Sequence, residues 1–410
     1  MFAQMSTILL KHAATVAAHV THDRQDVLIV DGVITEIGTV TAVSDTNVTV
    51  VDLDGWLLLP SAVEPHAHLD KAFLAGLIIN PTGDLMGAIT AMEANRHLLD
   101  VETTIERAER AARLMASNGY RAVRSHADTT TEHGLRSIEA LVEVRRRVAD
   151  VIDVEIVALC GWPVCGPEGA DQRQLLRDAM ATGADLVGGC PHLEFEAGTA
   201  AATEFLLQTA VDHGVGVDLH TDETLDPSVL GLVELADMVL AGFPHSVTAS
   251  HCVSLGMQPT QRQHEIAALV AEAGINIVAL PHTNLFLQGR GHEPMPRGLT
   301  AVAALLAAGV NVAAGADNLQ DPFNPVGRAC PFETAGLMIM TSHLLPGDAW
   351  DTVTTSAGAA LGLPEARVAV GAAADLLAVP ATTLREAIAF GPADRMVWRR
   401  GRPVPPVRSS

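Results

Sequence analysis

The middle of this chain alternates between short apolar runs and longer stretches with helical periodicity, and this alternation limits the fold more than any other feature. Apolar residues at i, i+3 and i+4 predict helices at 103–117 and 265–273. Apolar strands separated by helices indicate a parallel sheet, and eight of them predict closure into a (β/α)8 TIM-type barrel of the α/β class. The eight runs lie at residues 57–63, 121–125, 154–159, 185–189, 215–219, 246–250, 275–280 and 310–314.

Both ends of the chain predict β structure of another kind. Their short runs alternate polar and apolar residues, and Asp31-Gly32 is a hairpin-turn signal. We predict that residues 1–58 and 366–410 form a small β-sandwich domain and that residues 59–365 form the barrel. The runs at the two ends lie at residues 8–10, 26–30, 33–37, 48–51, 374–379 and 395–398.

The acidic composition argues against two classes of binding partner. A formal net charge of −22 argues against nucleic acids and anionic membranes, because both bind basic surfaces. The sequence contains no apolar run of the roughly 18 residues that a membrane span needs, and its beginning does not read as a secretory signal. Five cysteines without a CxxC pair favour a reducing compartment, so we expect a cytoplasmic protein. A homo-oligomer is compatible with these features.

The ends of the predicted barrel strands, where barrel enzymes carry their chemistry, are rich in histidine. His66 and His68 follow the first strand, and residues two apart in an extended chain point the same way, so both can reach one ion. His220, His251 and Asp317 end the fifth, sixth and eighth strands. A single strand-end histidine is more often structural than a ligand, but this combination predicts a site for one divalent ion, Zn2+ or Fe2+.

The lysines favour one ion over two. Two-metal hydrolases of this architecture commonly bridge their ions with a carboxylated lysine after the fourth strand, where this chain has Cys190. The chain has only two lysines: Lys11 lies outside the barrel, and Lys71 lies close to the first strand. A thiolate from Cys160 or Cys190 is the remaining route to a second ion.

Short segments spread over nearly the whole chain carry a family resemblance. They are VEPHAHLD (63–70), VRSHAD (123–128), LVGG (186–189), PHLEF (191–195), HTDE (220–223), VTASH (247–251), NLFLQGR (284–290), GADN (315–318) and GAAADLL (371–377). Together they resemble the amidohydrolase superfamily, in particular its cytosine deaminase branch. The resemblance implies a metal-dependent hydrolase of C–N bonds that acts on a small heterocyclic molecule.

The resemblance also implies roles for individual residues. Glu223 matches the carboxylic acid that handles the ring-nitrogen proton, and His251 matches the histidine that contacts the hydrolytic water. Asp317 acts both as a ligand and as the base, and Leu85 falls in the loop whose backbone helps to hold the substrate. The implied metal ligands are His66, His68, His220 and Asp317.

Two positions depart from cytosine deaminase. Gly161 replaces a glutamine that reads the pyrimidine amide, and Asn318 replaces a second aspartate. Loss of a bidentate hydrogen-bond partner argues against tight selectivity for the same ring. Asn318 also resembles relatives that remove alkylamines from s-triazines. Four further side chains are candidate ring contacts, although the two histidines among them could equally be core residues: Trp162, His192, His282 and Gln288.

The sequence therefore predicts hydrolytic deamination of an amino-substituted N-heterocycle, such as a cytosine-like pyrimidine, with release of ammonia. The alternative within enzymes is hydrolysis of a cyclic amide or of an N-alkyl substituent on an s-triazine-like ring. A catalytically silent barrel that binds a ligand is the third interpretation. The complete set of ligand, acid and base candidates speaks against it.

Overall fold

The computed structural model describes residues 7–17, 19–41, 43, 47–194 and 198–407. Phe195 of the PHLEF segment lies outside the described residues, as do residues 1–6 and 408–410 of the predicted small domain. The strands separate into two sheets, one from the ends of the chain and one from its middle. No helix in this described part is both long and apolar enough to cross a membrane.

The elements follow one another in this order along the chain. The strands are β1 (Thr7–Ala17), β2 (Val20–Val30), β3 (Val33–Gly38), β4 (Val48–Asp52), β5 (Leu57–Pro60), β6 (Ala62–Ala67), β7 (Tyr120–Thr129), β8 (Asp153–Cys160), β9 (Leu186–Gly189), β10 (Val217–Thr221), β11 (Val247–His251), β12 (Asn276–Ala279), β13 (Val312–Ala314), β14 (Leu376–Val379), β15 (Met396–Arg399) and β16 (Arg402–Pro403). The α-helices are α1 (Leu85–Ala94), α2 (Val101–Ser117), α3 (Arg136–Val148), α4 (Ala170–Thr182), α5 (Thr199–His213), α6 (Gly231–Leu240), α7 (Val253–Gly256), α8 (Thr260–Ala273), α9 (Pro281–Leu287), α10 (Val302–Ala307), α11 (Pro331–Ser342), α12 (Pro346–Val353), α13 (Thr355–Ala360) and α14 (Leu384–Phe390). Short 3-10 helices span Leu69–Lys71, Arg96–Leu98 and Pro191–Leu193.

The two chain ends form one hydrogen-bonded sheet of eight strands, separate from the barrel, as the sequence predicted. Its order is β16-β15-β14-β5-β1-β2-β3, and β4 pairs with β1. Asp31-Gly32 makes the predicted hairpin turn between β2 and β3, which pair through Val30 and Val33. The apolar face of this sheet is buried in a core of its own, which includes Leu10.

The middle of the chain forms a parallel sheet whose eight strands lie side by side in sequence order, from β6 to β13. Backbone hydrogen bonds then connect the last strand to the first. Asp317 N donates to the carbonyl oxygen of His66 (3.0 Å), and His68 N donates to the carbonyl oxygen of Asp317 (3.2 Å). The sheet is therefore closed into the predicted (β/α)8 barrel, and it is closed by the residues of the predicted metal site.

The first barrel strand begins later than the sequence predicted. The apolar run 57–63 belongs to two sheets, because β5 pairs with β14 while β6 pairs with β7. Ser61 N donates to the Asp375 carbonyl and Ala62 N to the Gly119 carbonyl, so the chain changes sheets between these residues. Both strands are almost wholly buried, and residues 57–63 are apolar apart from Ser61, so hydrophobicity alone does not divide them. We propose a domain boundary at Ser61, since the one predicted after residue 58 falls inside β5.

Helix α2 shows how the helices cover the barrel. The Asp100 side chain accepts a hydrogen bond from Thr103 N (2.9 Å), which satisfies one of the free amide groups at the helix start. The buried face follows helical spacing and consists of small residues and one methionine, so the helix can lie close to the strands. These residues are Thr104, Ala108, Ala111, Ala112, Met115 and Ala116.

Arg399 forms a buried ion pair within the small sheet and also contacts the barrel. Arg399, the last residue of β15, donates to Asp375 Oδ2 (2.6 Å) and to Asp153 at the start of β8. Arg399 and Asp375 are both buried, so each depends on the other to compensate its charge.

We predict that Arg399→Met lowers the free energy of unfolding by about 3–5 kcal/mol, because it leaves the Asp375 carboxylate buried without a cation. Urea unfolding followed by tryptophan fluorescence measures the change. Arg400→Met is the matched control: this side chain is 67% exposed, so its loss is expected to cost under about 1 kcal/mol. Equal losses in the two variants would contradict a stabilising role for the buried pair.

Candidate active site

The predicted ligand and catalytic side chains converge at the C-terminal ends of the barrel strands. His66 lies in β6, His220 in β10 and His251 at the end of β11, while Asp317 follows β13. His251 and Asp317 have φ angles of 70° and 62°, in the left-handed region that side-chain-bearing residues rarely adopt. Such strain persists only where the surrounding structure enforces it, and it is concentrated at functional sites.

Four ligand atoms face one another in this group. His68 Nε2 is 3.3 Å from Asp317 Oδ1 and 3.3 Å from His220 Nε2. His66 Nε2 is 3.6 Å from the same Asp317 oxygen. Ligand atoms bound at about 2.1 Å to one ion with tetrahedral angles are about 3.4 Å apart. The predicted ligands therefore fit a single divalent ion.

The hydrogen bonding and the protonation of the predicted ligands are also compatible with a bound ion. Among the described residues, His66 Nε2 and both carboxylate oxygens of Asp317 are buried and have no hydrogen-bond partner. Burial holds the pKa of His66 and of His220 well below the ordinary value, so both imidazoles stay neutral and can offer a lone pair. A bound cation would compensate the buried polar atoms that the protein leaves without partners.

A buried relay that the sequence analysis missed holds His66 in position. His66 Nδ1 lies 2.9 Å from Ser250 Oγ, which donates to Asp218 Oδ1 (3.1 Å). Arg124 donates to the other oxygen of Asp218 (2.8 Å). Because Nδ1 is engaged in this way, Nε2 faces the ligand group. A signal was available, since Asp218 precedes His220 by two residues in β10 and shares its face of the strand.

Lys71 contacts one of the predicted ligands, which the sequence analysis did not predict. It is buried, and its Nζ lies 3.2 Å from Nδ1 of His68, 2.7 Å from Asp128 Oδ1 and 3.4 Å from Asp70 Oδ1. Lys71 therefore contacts the ring nitrogen of His68 that does not face the other predicted ligands. It links this ring to the carboxylates of Asp70 and Asp128.

A cysteine route to a second ion finds no support. Three overlapping groups of described residues could hold a metal, and none contains a cysteine. Burial raises the pKa of Cys160 to about 12, so its thiol stays protonated near neutral pH. One of the three groups joins His66 to His126 and Asp218, but Asp218 is already paired with Arg124.

The two predicted proton-handling residues lie beside the ligand group. His251 Nδ1 is 3.5 Å from Glu223 Oε1 and 3.0 Å from Asn284 Oδ1, and its Nε2 is 3.9 Å from Asp317 Oδ2. Burial raises the pKa of Glu223 to about 7, so this carboxyl group can hold a proton near neutral pH. A carboxylic acid with that property can serve as a general acid.

A cavity of about 190 Å³ opens onto this site. Two of the predicted ring contacts are not among its lining residues. The His282 ring points away from the cavity to Thr334, with Nε2 3.1 Å from its Oγ1, while Gln288 lines an adjoining cavity and donates to the Glu223 carbonyl (3.4 Å). The five predicted contacts that do line the cavity are Leu85, Gly161, Trp162, His192 and Asn318.

We predict that Ser250→Ala weakens metal binding about 10- to 100-fold, because it removes the hydrogen bond that fixes the His66 ring. Competition against a chromophoric chelator measures the affinity. Ser254→Ala is the matched control, since Ser254 Oγ is buried and has no hydrogen-bond partner among the described residues. If both variants bind metal as tightly as the parent protein, the relay does not position His66.

A closed (β/α)8 barrel with three histidines and an aspartate grouped at its strand ends, in a geometry that could hold a metal ion, is typical of barrel hydrolases. The family model described as Amidohydrolase family matches residues 75–405, and the chain belongs to this family. Membership confirms the predicted superfamily and the enzyme class, a hydrolase acting on C–N bonds.

Individual relatives agree with this assignment. A pterin deaminase of Rhizobium rhizogenes (strain K84 / ATCC BAA-868) is 36% identical over 394 residues, which cover 92% of this chain and 87% of the relative. The structure of 5-methylcytosine deaminase from Klebsiella pneumoniae liganded with 5-fluorocytosine has a TM-score of 0.86 and 29% identity, covering 98% of each chain. N-isopropylammelide isopropylaminohydrolase from Burkholderia multivorans has a TM-score of 0.82 and 28% identity, covering 97% of this chain and 98% of that one.

Proposed function

We propose that this chain is a metal-dependent deaminase that hydrolyses an amino group from a nitrogen heterocycle and releases ammonia. One observation carries the proposal: the buried Glu223 carboxyl, which can be protonated near neutral pH, lines the cavity beside His251 and the ligand group. Two relatives whose names describe deamination, of a pterin and of 5-methylcytosine, support the same reaction.

We further propose that the ion is Zn2+ or Fe2+, because imidazole nitrogen and carboxylate oxygen suit both. Such an ion, when bound, lowers the pKa of water and supplies hydroxide near neutral pH. The residues proposed to hold it are His66, His68, His220 and Asp317.

The protein side chains then move the protons. Asp317 takes a proton from the attacking water, while Glu223 protonates the ring nitrogen next to the carbon under attack. His251 orients the water and stabilises the tetrahedral adduct of water with the ring. Asp317 next gives its proton to the departing amino group, so the C–N bond breaks and ammonia leaves. The hydroxyl proton of the adduct returns to Glu223, and the product carries a ring carbonyl.

His192 is the predicted ring contact that the structure supports best. Its Nδ1 is 3.2 Å from the His220 carbonyl oxygen, and its buried Nε2 has no partner among the described residues. Burial lowers the pKa of His192 to about 4, so the ring is neutral. We propose that Nε2 bonds the heterocycle, which compensates this polar atom when substrate is bound.

The proposed substrate is a small ring rather than a nucleic acid, given the net charge of −22. We propose a cytoplasmic location, which the five unpaired cysteines support.

The alternative is removal of an N-alkyl group from an s-triazine-like ring. The similarity to N-isopropylammelide isopropylaminohydrolase supports it, and the same groups could expel an alkylamine instead of ammonia. Product analysis on a panel of aminopyrimidines, pterins and N-alkylaminotriazines distinguishes the two reactions. Ammonia from the first two classes supports the proposal, and an alkylamine from the triazines alone replaces it.

We predict that Glu223→Gln lowers kcat at least about 100-fold, because the amide cannot protonate the ring nitrogen. The variant should still bind metal, since Glu223 is not among the proposed ligands. Ammonia release and metal content, measured on the same preparation, check both expectations. Glu265→Gln, at an exposed position on α8, is the control and should keep full activity. Full activity in Glu223→Gln would remove this residue from the mechanism.

We predict that removal of metal by a chelator abolishes ammonia release and that Zn2+ or Fe2+ restores it. Circular dichroism before and after treatment shows whether the barrel stays folded. Undiminished turnover by protein with no measurable metal would overturn the metal-dependent mechanism.

A further inference from the structure

Gly161 lines the cavity at the position where the family resemblance expects a ring-reading glutamine. A Cβ atom at this position would lie 3.0 Å from Thr130 Cγ2 and 3.1 Å from Gln172 Oε1, so these side chains already occupy the wall. Gln172 is a carboxamide in the neighbourhood of the missing one, which makes it the first candidate to replace it.

Gln172 is not available for that role. Its Nε2 donates to the Thr129 carbonyl (2.6 Å) and to Cys160 Sγ (3.4 Å), and its Oε1 accepts from Thr131 N (3.2 Å). Both donor hydrogens are therefore used within the protein. Another group must bind the part of the substrate that faces this wall.

Two cations line the cavity in the described part of the chain, and they differ in what surrounds them. Lys71 is held by Asp128 at 2.7 Å and by a second carboxylate at 3.4 Å. Arg96 donates to Thr130 Oγ1 (2.5 Å), the side chain beside Gly161, and no carboxylate lies closer to it than 3.8 Å.

The carboxylates near Arg96 compete only weakly for it. They belong to Glu93 at 3.8 Å and Glu132 at 3.9 Å, whose side chains are 53% and 68% exposed. Loose ion pairs of this kind contribute little, because water solvates both charges. A guanidinium has five N–H groups, and Thr130 accepts from one, so Arg96 retains unused donors where it lines the cavity.

We infer that Arg96 is a specificity-determining residue that binds a carboxylate carried by the substrate aminoheterocycle. The inference rests on the proposed function and deepens it. Gly161 offers the ring no hydrogen-bonding side chain, and Arg96 lies against Thr130 at the same wall of the cavity. The planar guanidinium fork matches a carboxylate with two parallel hydrogen bonds, and Glu93 and Glu132 can swing into water when the substrate carboxylate takes their place.

The test compares 2-amino-4-oxopteridine with its 6-carboxylate and 7-carboxylate. The parent enzyme should favour at least one carboxylate over the unsubstituted ring in kcat/KM. Arg96→Met should raise KM for that carboxylate about 10- to 100-fold and leave kcat within a few-fold, while KM for the unsubstituted ring changes under about threefold. Arg96→Lys should recover part of the loss, because it restores the charge without the fork.

Two further variants separate recognition from structure. Thr130→Val removes the hydrogen bond to Arg96 but keeps its charge, so it should retain most of the preference for the carboxylate. Glu132→Gln removes a competing charge and should lower KM for the carboxylate. Arg262→Met, an exposed arginine on α8, is the control and should change neither substrate.

The inference is overturned if the parent enzyme shows no preference for either carboxylate, or if Arg96→Met weakens all three compounds equally. Binding titrations that follow pteridine fluorescence measure affinity without turnover. They therefore test carboxylate binding by Arg96 separately from the proposed deaminase function. If no ring releases ammonia, the proposed function fails, yet loss of carboxylate binding in Arg96→Met alone still supports the Arg96 assignment. Unchanged binding in that variant rejects it, whatever the turnover shows.

Discussion

The candidate site depends on the closure of the barrel. The first and last strands are far apart in sequence, and the two backbone hydrogen bonds between Asp317 and the His66–His68 segment bring them together. The same bonds set three ligand side chains at distances that suit one ion. Because Asp317 is held with a positive φ, the closure includes a strained residue that an isolated segment would not adopt. The candidate metal site and the closure of the barrel therefore belong to one structural unit.

Burial has opposite consequences for the groups in this site, and the chemistry needs both. It lowers the pKa of His66 and His220, which leaves neutral nitrogen ligands. It raises the pKa of Glu223 to about 7, which leaves a carboxyl group that can give a proton. In each case the low-dielectric interior disfavours the charged form. One buried pocket thus contains neutral imidazoles that could bind an ion and a carboxyl group that could protonate a ring nitrogen.

The sequence predicted the barrel strands well, because these depend on side-chain periodicity and on strand order. Seven of the eight predicted barrel runs overlap single barrel strands, and the first failed because β5 and β6 are both buried with only Ser61 between them. The sequence predicted that the candidate ligand histidines lie together because parallel barrel strands all end at the same mouth of the barrel. The sequence analysis did not predict contacts made by side chains that lie outside the barrel strands. Lys71 was judged only as a metal bridge, and its contact with His68 depends on a 3-10 helix that periodicity does not reveal.

Recognition of the substrate was hardest to read from the sequence, for a physical reason. Catalytic groups must lie on the rigid strand ends, whereas Arg96 lies in a 3-10 helix after α1 and reaches the cavity across the fold. Gly161 and Arg96 both adjoin Thr130, which lies beside the first and accepts a hydrogen bond from the second. In our proposal, selectivity for the substrate depends on a missing side chain on one element and a charged side chain on another. A residue-by-residue match to relatives reveals the first as a departure but gives no sign of the second. Only the packed structure brings the two residues together at the wall of one cavity.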